Sequence, residues 1–231
     1  MPEISIIIPV LDEASGIVPC LMALQAWRAR GHELIVVDGG SQDRTTELGR
    51  PLADQIVSAP RGRAIQMNTG AAASSGNLLV FLHADTRLPA SAFDSLEQIG
   101  RKQQAAWGRF DVRLTGRKPI FRIIERAMNL RSRLTGIATG DQTLFVHRRL
   151  FEQIGHYPEL ALMEDIALSS RLRRISRPVC LRGPVITSSR RWEQDGVVRT
   201  VFRMWGLRLL FFFGMNTPAL ARHYRPVRDD A

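Results

Sequence analysis

The strongest constraint in this sequence is a repeated local pairing. A short apolar run is followed by a polar turn, and the turn by residues at helical or loop spacing. Ile4–Val10 is apolar and largely β-branched, the pattern of a strand buried on both faces. Ile17, Leu21, Leu24 and Trp27 then recur at helical spacing, and Gly31 marks the stop. Leu34–Val37 reads as a second buried strand, 43–52 as a short helix and Gln55–Val57 as a third strand. Residues 63–74 read as a helix, and Leu78–Leu82 as a fourth strand. Alternation of this kind predicts an α/β fold with a mostly parallel sheet and helices on both faces. Ligands in such sheets bind beyond the carboxyl ends of the strands. Asp12, Asp38 and Asp85 each stand just past such an end, so three acids are expected on one rim.

Beyond residue 100 the pattern is less regular. Strands are expected over 106–114 and 143–147, an amphipathic Arg-rich helix over 120–134, a helix over 164–174 and an extended segment over 179–188. Residues 197–215 are apolar and aromatic, with Arg199, Arg203 and Arg208 interspersed. The expected organisation is one domain over 1–196 and a C-terminal apolar, Arg-rich helical extension over 197–231.

Composition narrows the partners. The chain has 231 residues, 45% hydrophobic and 23% charged, which excludes a disordered chain and permits a full core. The net charge of +10 suits a polyanion: nucleic acid, anionic lipid or a diphosphate. Nearly all of the positive charge is arginine, from codon bias or from use of the planar, bidentate guanidinium. Zinc spacing, an aromatic ribonucleoprotein motif and a basic tail are absent, and acids on the rim would repel bare phosphate, so no nucleic-acid partner is expected. Cys20 and Cys180 have no metal or redox spacing. Cys20 is expected to be a buried free thiol, in keeping with a reducing compartment. No signal peptide and no run of ~20 apolar residues is visible, so a cytoplasmic protein is expected, with peripheral contact at the inner membrane face open to it.

The chemistry-bearing residues fall in order along the chain. Pro9-Val10-Leu11-Asp12-Glu13 closes the first strand, and Val37-Asp38-Gly39-Gly40-Ser41-Gln42-Asp43 closes the second. Asn68-Thr69-Gly70-Ala71-Ala72 lies in the alanine-rich helix. His83-Ala84-Asp85 ends the fourth strand, Gly155-His156-Tyr157 precedes Glu164-Asp165, and Arg191-Trp192 follows. Asp38 can accept hydrogen bonds from a nucleobase or ribose, or close an Asx-type turn. Asp85 is a hard oxygen ligand suited to Mg²⁺ or Mn²⁺ on a diphosphate. Arg61-Gly62-Arg63 before a helix is a diphosphate site or a solvated basic loop. Glu164-Asp165 either complements a helix dipole or supplies a general base.

This ordered set resembles the family 2 glycosyltransferases of the inverting kind over roughly residues 4–192. The layout is similar to the compact bacterial branch labelled arsenosugar biosynthesis glycosyltransferase. The resemblance implies a GT-A-type fold and a nucleotide-diphosphate sugar as donor, with a UDP-sugar favoured. It places Pro9, Glu13, Asp38, Arg63, Asn68, Asp85, Arg191 and Trp192 around the donor, with Asp85 on a divalent cation. It places Asp141 and Glu164 toward an acceptor, a small molecule or a lipid, and makes Asp165 the base. One position departs from the family pattern. His83 stands where the first aspartate of an Asp-x-Asp element is expected, so it either touches ribose or metal or is structural. A nicotinamide-dependent oxidoreductase would need a Gly-x-Gly-x-x-Gly turn after the first strand. A sugar-1-phosphate nucleotidyltransferase would need a Gly-rich basic loop. Neither is present.

Overall fold

The computed structural model of the chain describes residues 3–101 and 106–215. Its strands are β1 (Ile4–Val10), β2 (Glu33–Asp38), β3 (Gln55–Ser58), β4 (Leu78–Phe81), β5 (Thr86–Arg87), β6 (Trp107–Leu114), β7 (Leu144–His147) and β8 (Val179–Thr187). The helices are α1 (Ala14–Ala23), α2 (Gln25–Ala29), α3 (Thr45–Gly49), α4 (Arg63–Ala73), α5 (Ala92–Gly100), α6 (Pro119–Thr135), α7 (Arg148–Gln153), α8 (Glu164–Arg173), α9 (Arg190–Gln194) and α10 (Val197–Phe212).

All eight strands form one sheet in the order β3-β2-β1-β4-β7-β6-β8-β5. The β3-β2-β1-β4 half is parallel throughout. The other half is mixed, with β7 antiparallel to both β4 and β6, β6 parallel to β8, and β5 antiparallel to β8. The expected mostly parallel α/β sheet is therefore present, and the departure is confined to the less regular second half of the sequence.

The buried runs explain the two faces. Ile4, Ile6, Ile8 and Val10 of β1 pack with α1, α2 and α5, while Ile7 packs on the other face with α4, α7 and α8. Each fully buried aliphatic side chain of this kind stabilises the fold by about 1.5–3 kcal/mol. Helix α4 lies close on the sheet because of Gly70. A Cβ there would stand 2.4 Å from Ile7 and 2.8 Å from Val37. The glycine of the Asn68–Ala72 segment is thus a packing residue.

The helical spacing over 17–27 is split in the structure. Helix α1 ends at a cap on Leu24 and α2 begins at Gln25. The expected helix over 43–52 shortens to α3, because Asp43 is engaged in the preceding turn, where its carboxylate takes the amides of Ala14 and Thr45. Helices α5, α7 and α9 were not foreseen. Cys20 is buried and both cysteines are free thiols, as expected. From residue 216 the C-terminal extension lies outside the described residues.

Candidate functional site

The rim beyond β1, β2 and β4 carries the acids predicted for it, because these strands are parallel neighbours. The loops there brace each other. Ser41 Oγ accepts the Asp12 amide at 2.9 Å, and Asp12 Oδ1 accepts the Gln42 amide at 2.9 Å. Asp38 is buried and accepts the amides of Gly40 and Ser41 and the Ser41 hydroxyl. It closes its turn, each carboxylate oxygen taking two contacts and the Ser41 amide shared between them. Thr45 Oγ1 accepts the Glu13 amide at 2.7 Å, which fixes the start of α1.

One residue that sequence reasoning missed holds these loops in register. Gln66 is 4% exposed, and its Nε2 donates to the carbonyls of Val10 at 2.8 Å and Val37 at 2.9 Å. It ties the last residue of β1 to β2 just before Asp38. The available signal was a polar residue on the face of α4 that also carries the buried Ala64, Met67, Gly70 and Ala71.

Asp85 is exposed and accepts the Thr86 hydroxyl at 3.1 Å. Beside it His83 is held down in its protonation range, first by burial and then by the Arg63 charge, against Asp141, Asp85 and Asp165. The imidazole is neutral near pH 7, with Nδ1 3.9 Å from Asp141 Oδ1. Gly140 lies against this ring, and a Cβ there would stand 2.5 Å from His83 Cε1. Among the described residues no group of three His, Cys, Asp or Glu forms a preassembled metal cage. The donor chemistry nevertheless fits a hard divalent ion on a diphosphate. Such ions take one or two protein carboxylates and fill the remaining positions with substrate phosphates and water.

The opposite wall is the start of α8. Asp165 Oδ2 accepts the Gly140 amide at 2.7 Å, and Oδ1 accepts the Ile166 amide at 2.7 Å. Glu164 is buried, and its carboxyl is pushed up to about 7, chiefly by burial and then by the Asp165 charge, with Arg63 opposing. Tyr157 borders both acids. Burial first, then Asp165 and Glu164, hold its phenol protonated. A narrow crevice joins His83, Gly140, Tyr157, Glu164 and Asp165 over Met67 and Phe81.

Arg63 is the first residue of α4 and is exposed, yet its charge reaches His83, Glu164 and Arg191. Arg191 is held below its usual range by burial and then by Arg63, against Asp141 and Asp195. His83, Asp85, Arg63, Asp141, Glu164, Asp165 and Arg191 therefore share one electrostatic neighbourhood. The other expected positions differ. The Asn68 amide makes two bonds to the backbone of Tyr157, at 2.9 and 3.0 Å, so it braces α4 to the 155–157 turn. Trp192 packs on the cluster of Leu114, Phe121 and Ile124, where it anchors the segment that carries Arg191. Pro9 is a strand residue in register with Val37.

Among the described residues, four non-glycine residues adopt left-handed backbone, and all four lie around this site: Asp12 (φ 55°), Thr143 (φ 48°), His156 (φ 64°) and Met163 (φ 68°). Backbone of this kind costs of order 1–3 kcal/mol per residue and gathers at functional sites. Here it aims the Asp12 loop, the 139–143 turn, the Tyr157 turn and the Glu164-Asp165 pair.

The family model described as glycosyl transferase family 2 matches residues 5–155, more than half of the chain. The chain belongs to glycosyl transferase family 2. It is 38% identical over 94 residues to the glycosyltransferase AglE of Haloferax volcanii, covering 37% of this chain and 31% of that protein. It is 29% identical over 134 residues to an undecaprenyl-phosphate 4-deoxy-4-formamido-L-arabinose transferase of Pseudomonas aeruginosa, covering 48% and 40%. These matches thus span about a third to two fifths of the relatives' length. Among solved structures, S. aureus TarS 1-349 in complex with UDP aligns with TM-score 0.65 at 16% identity, covering 81% of this chain and 60% of that one. Glucosyl-3-phosphoglycerate synthase from Mycobacterium tuberculosis, with Mn²⁺, UDP and phosphoglyceric acid, aligns with TM-score 0.63 at 18% identity, covering 93% and 79%. This likeness establishes the fold of the family 2 chain as the GT-A type.

Proposed function

We propose that this family 2 chain transfers a sugar from a nucleotide-diphosphate sugar, a UDP-sugar by preference, to an acceptor hydroxyl with inversion at the anomeric carbon. The observation that carries this reading is the anchored Asp165 carboxylate. It is fixed by the Gly140 amide across a crevice from His83, beside the strand-end acid Asp85. Two of the related folds were solved with UDP, one of them also with Mn²⁺, which supports both the donor and a divalent cation.

Asp38 would accept donors of the base or ribose, and Arg63 and Arg191 would face the diphosphate. Asp85, with the neutral His83 imidazole, would hold Mg²⁺ or Mn²⁺, which when bound neutralises charge on the leaving diphosphate. Asp165 would take the proton of the acceptor hydroxyl as its oxygen bonds to the anomeric carbon from the face opposite the nucleotide. The bond to the diphosphate oxygen breaks in the same step, and its electrons leave with the nucleoside diphosphate. The guanidiniums of Arg63 and Arg191 would stabilise that growing charge. Asp141 and Glu164 border the acceptor side.

For the acceptor, the undecaprenyl-phosphate transferase relative supports a lipid phosphate, whose P–OH oxygen would then be the attacking hydroxyl, and α10 supports contact with a membrane surface. Val198, Phe202, Trp205, Leu209 and Phe212 are all exposed and fall on one side of α10. Arg199 on that helix, and Arg117 and Lys118 before α6, are exposed as well, which suits anionic headgroups. No described helix is long and apolar enough to cross a membrane.

Calorimetry with a panel of nucleoside diphosphates, with and without Mn²⁺, tests the donor. Binding of UDP strengthened by Mn²⁺ is expected, and absence of binding to any nucleoside diphosphate overturns the reading. Proton NMR of the first product reads the anomeric configuration, and retention would exclude the direct displacement.

A further inference from the structure

Two arginines outside the expected site are held in a way the other arginines of the core are not. Arg109 is fully buried and fully engaged. It pairs with Asp111 and bonds to Ser132 Oγ and the Asn129 carbonyl. Arg148 donates to the carbonyls of Gly76, Ala71 and Ser74 and to Ser74 Oγ. These are structural guanidiniums, with their N–H groups matched to acceptors.

Arg131 of α6 and Arg208 of α10 are different. Nε and Nη2 of Arg131 and Nε of Arg208 are buried without a hydrogen-bond partner among the described residues. The charge of Arg208 registers at Arg131, and that of Asp165 registers at both. The packing explains the convergence. Leu207, next to Arg208, is buried against Leu162, Met163 and Ile166 around the start of α8. The carboxylates that act on them are Asp165 on both and Asp141 on Arg208, yet neither bonds the unmet donors. Burying them unpaired is costly unless an oxyanion completes the arrangement.

We propose that Arg131 and Arg208 form an anion subsite for a phosphate group on the acceptor, next to the base Asp165. This rests on the transferase reading above and adds the class of acceptor to it. A phosphate presents several acceptor oxygens, and guanidiniums engage such groups bidentately. Arg191 and Arg208 both feel Asp141, so the subsite would border the position where Arg63 and Arg191 would face the donor diphosphate. Burial, followed by the charge of its neighbour Arg208, holds Arg131 down to about 10, and an anion between the two would relieve both effects. The phosphate could arrive on a soluble phosphomonoester or on a membrane lipid. Arg208 belongs to the same helix as the exposed Phe202, Trp205, Leu209 and Phe212, and Arg131 to the same helix as the exposed Ile123, Leu130 and Leu134.

The test uses the full chain saturated with UDP and Mn²⁺, so that the donor phosphate positions are filled. Inorganic phosphate is titrated by calorimetry in one arm. Zwitterionic vesicles with and without a polyisoprenyl phosphate are titrated in the other. Binding in at least one arm is expected, weakened tenfold or more in Arg131→Gln and in Arg208→Gln and partly restored in Arg131→Lys. UDP affinity should be unchanged in all three. Arg63→Gln should do the reverse, weakening UDP and sparing phosphate. Saturation with phosphate alone marks a soluble acceptor, and binding to the phosphate-bearing vesicles alone marks a lipid. Failure of both probes, or binding that survives both glutamine variants, overturns the subsite. If UDP itself does not bind, the donor reading fails, and the phosphate titration of the free protein still decides the subsite. Should a glutamine variant not fold, the lysine variant and the wild-type titration carry the decision.

Discussion

The two halves of the sheet hold their polar groups in opposite ways. At the rim of β3-β2-β1-β4, carboxylates are satisfied locally. Asp38 takes the amides of Gly40 and Ser41, and Asp12 and Ser41 brace each other's loops. On the side built from α6, α8, α9 and α10, burial is the largest influence on several charged groups. Glu164 rides up to about 7, Arg191 and Arg208 are held low by burial, and Arg131 carries unmet donors. The first side is a preformed cradle. The second stores unfavourable desolvation, which suits the acceptor side of the proposed reaction.

The largest break in that contrast is expected at Asp165. Asp165→Asn retains an oxygen for the Gly140 amide but removes the carboxylate proposed as the base. Turnover should fall by roughly 10²–10⁴-fold with UDP affinity unchanged, read by product formation and calorimetry. Near-normal turnover would place the base elsewhere.

Glu164 sharpens the contrast through pH. Its ordinary value of 4.5 is raised to about 7 in the folded chain. Below pH 4.5 the carboxyl is protonated in both states and costs nothing. Between 4.5 and 7 the unfolded chain releases the proton first, and the folded state loses stability. Above 7 the penalty is complete, at most about 3 kcal/mol. Glu164→Gln should therefore gain stability over the wild type on going from acid to pH 8, seen as a growing difference in Tm. A constant difference across pH would contradict the buried, raised carboxyl.

On the preformed side, Asp38→Ala removes an acceptor that closes the turn and, in the proposed reaction, would face the nucleoside. UDP binding should weaken by about tenfold to a hundredfold, from the ~1.5–3 kcal/mol of hydrogen bonds to a charged group. Unchanged UDP affinity would reduce Asp38 to a turn residue. Gly70→Ala forces a methyl into Ile7 and Val37, and a loss of about 1–3 kcal/mol in urea unfolding is expected. If the variant is as stable as the parent, α4 can slide on the sheet and the rim is less rigid than the packing implies.

The same contrast explains what could be read from the sequence. Strand-end acids were legible because a buried parallel strand is written locally, as a β-branched run with a polar exit. The positions of Asp38 and Asp85 follow from chain order alone. The ordered motifs carried the family and brought Glu164-Asp165 and Arg191 into view. The roles of Asn68 and Trp192 were not legible, since both sit inside motifs and yet brace backbone and core. An amide that bonds Tyr157, 89 residues away, leaves no local trace.

By itself the sequence determined the βα alternation, the parallel half of the sheet and the rim on which chemistry would sit. Hydrophobic period reports which face of an element is buried, and that is enough when neighbours in sequence are neighbours in space. Only the tertiary structure decided the mixed half, the break at Leu24, the Gln66 tie and the meeting of Arg131, Asp165 and Arg208. Arg131 and Arg208 lie 77 positions apart on two amphipathic helices, α6 more strongly so than α10. Periodicity assigns each helix a buried face but not the partner it meets there. That partner is set by packing among α6, α8 and α10, and so this meeting of charges exists only in the folded chain.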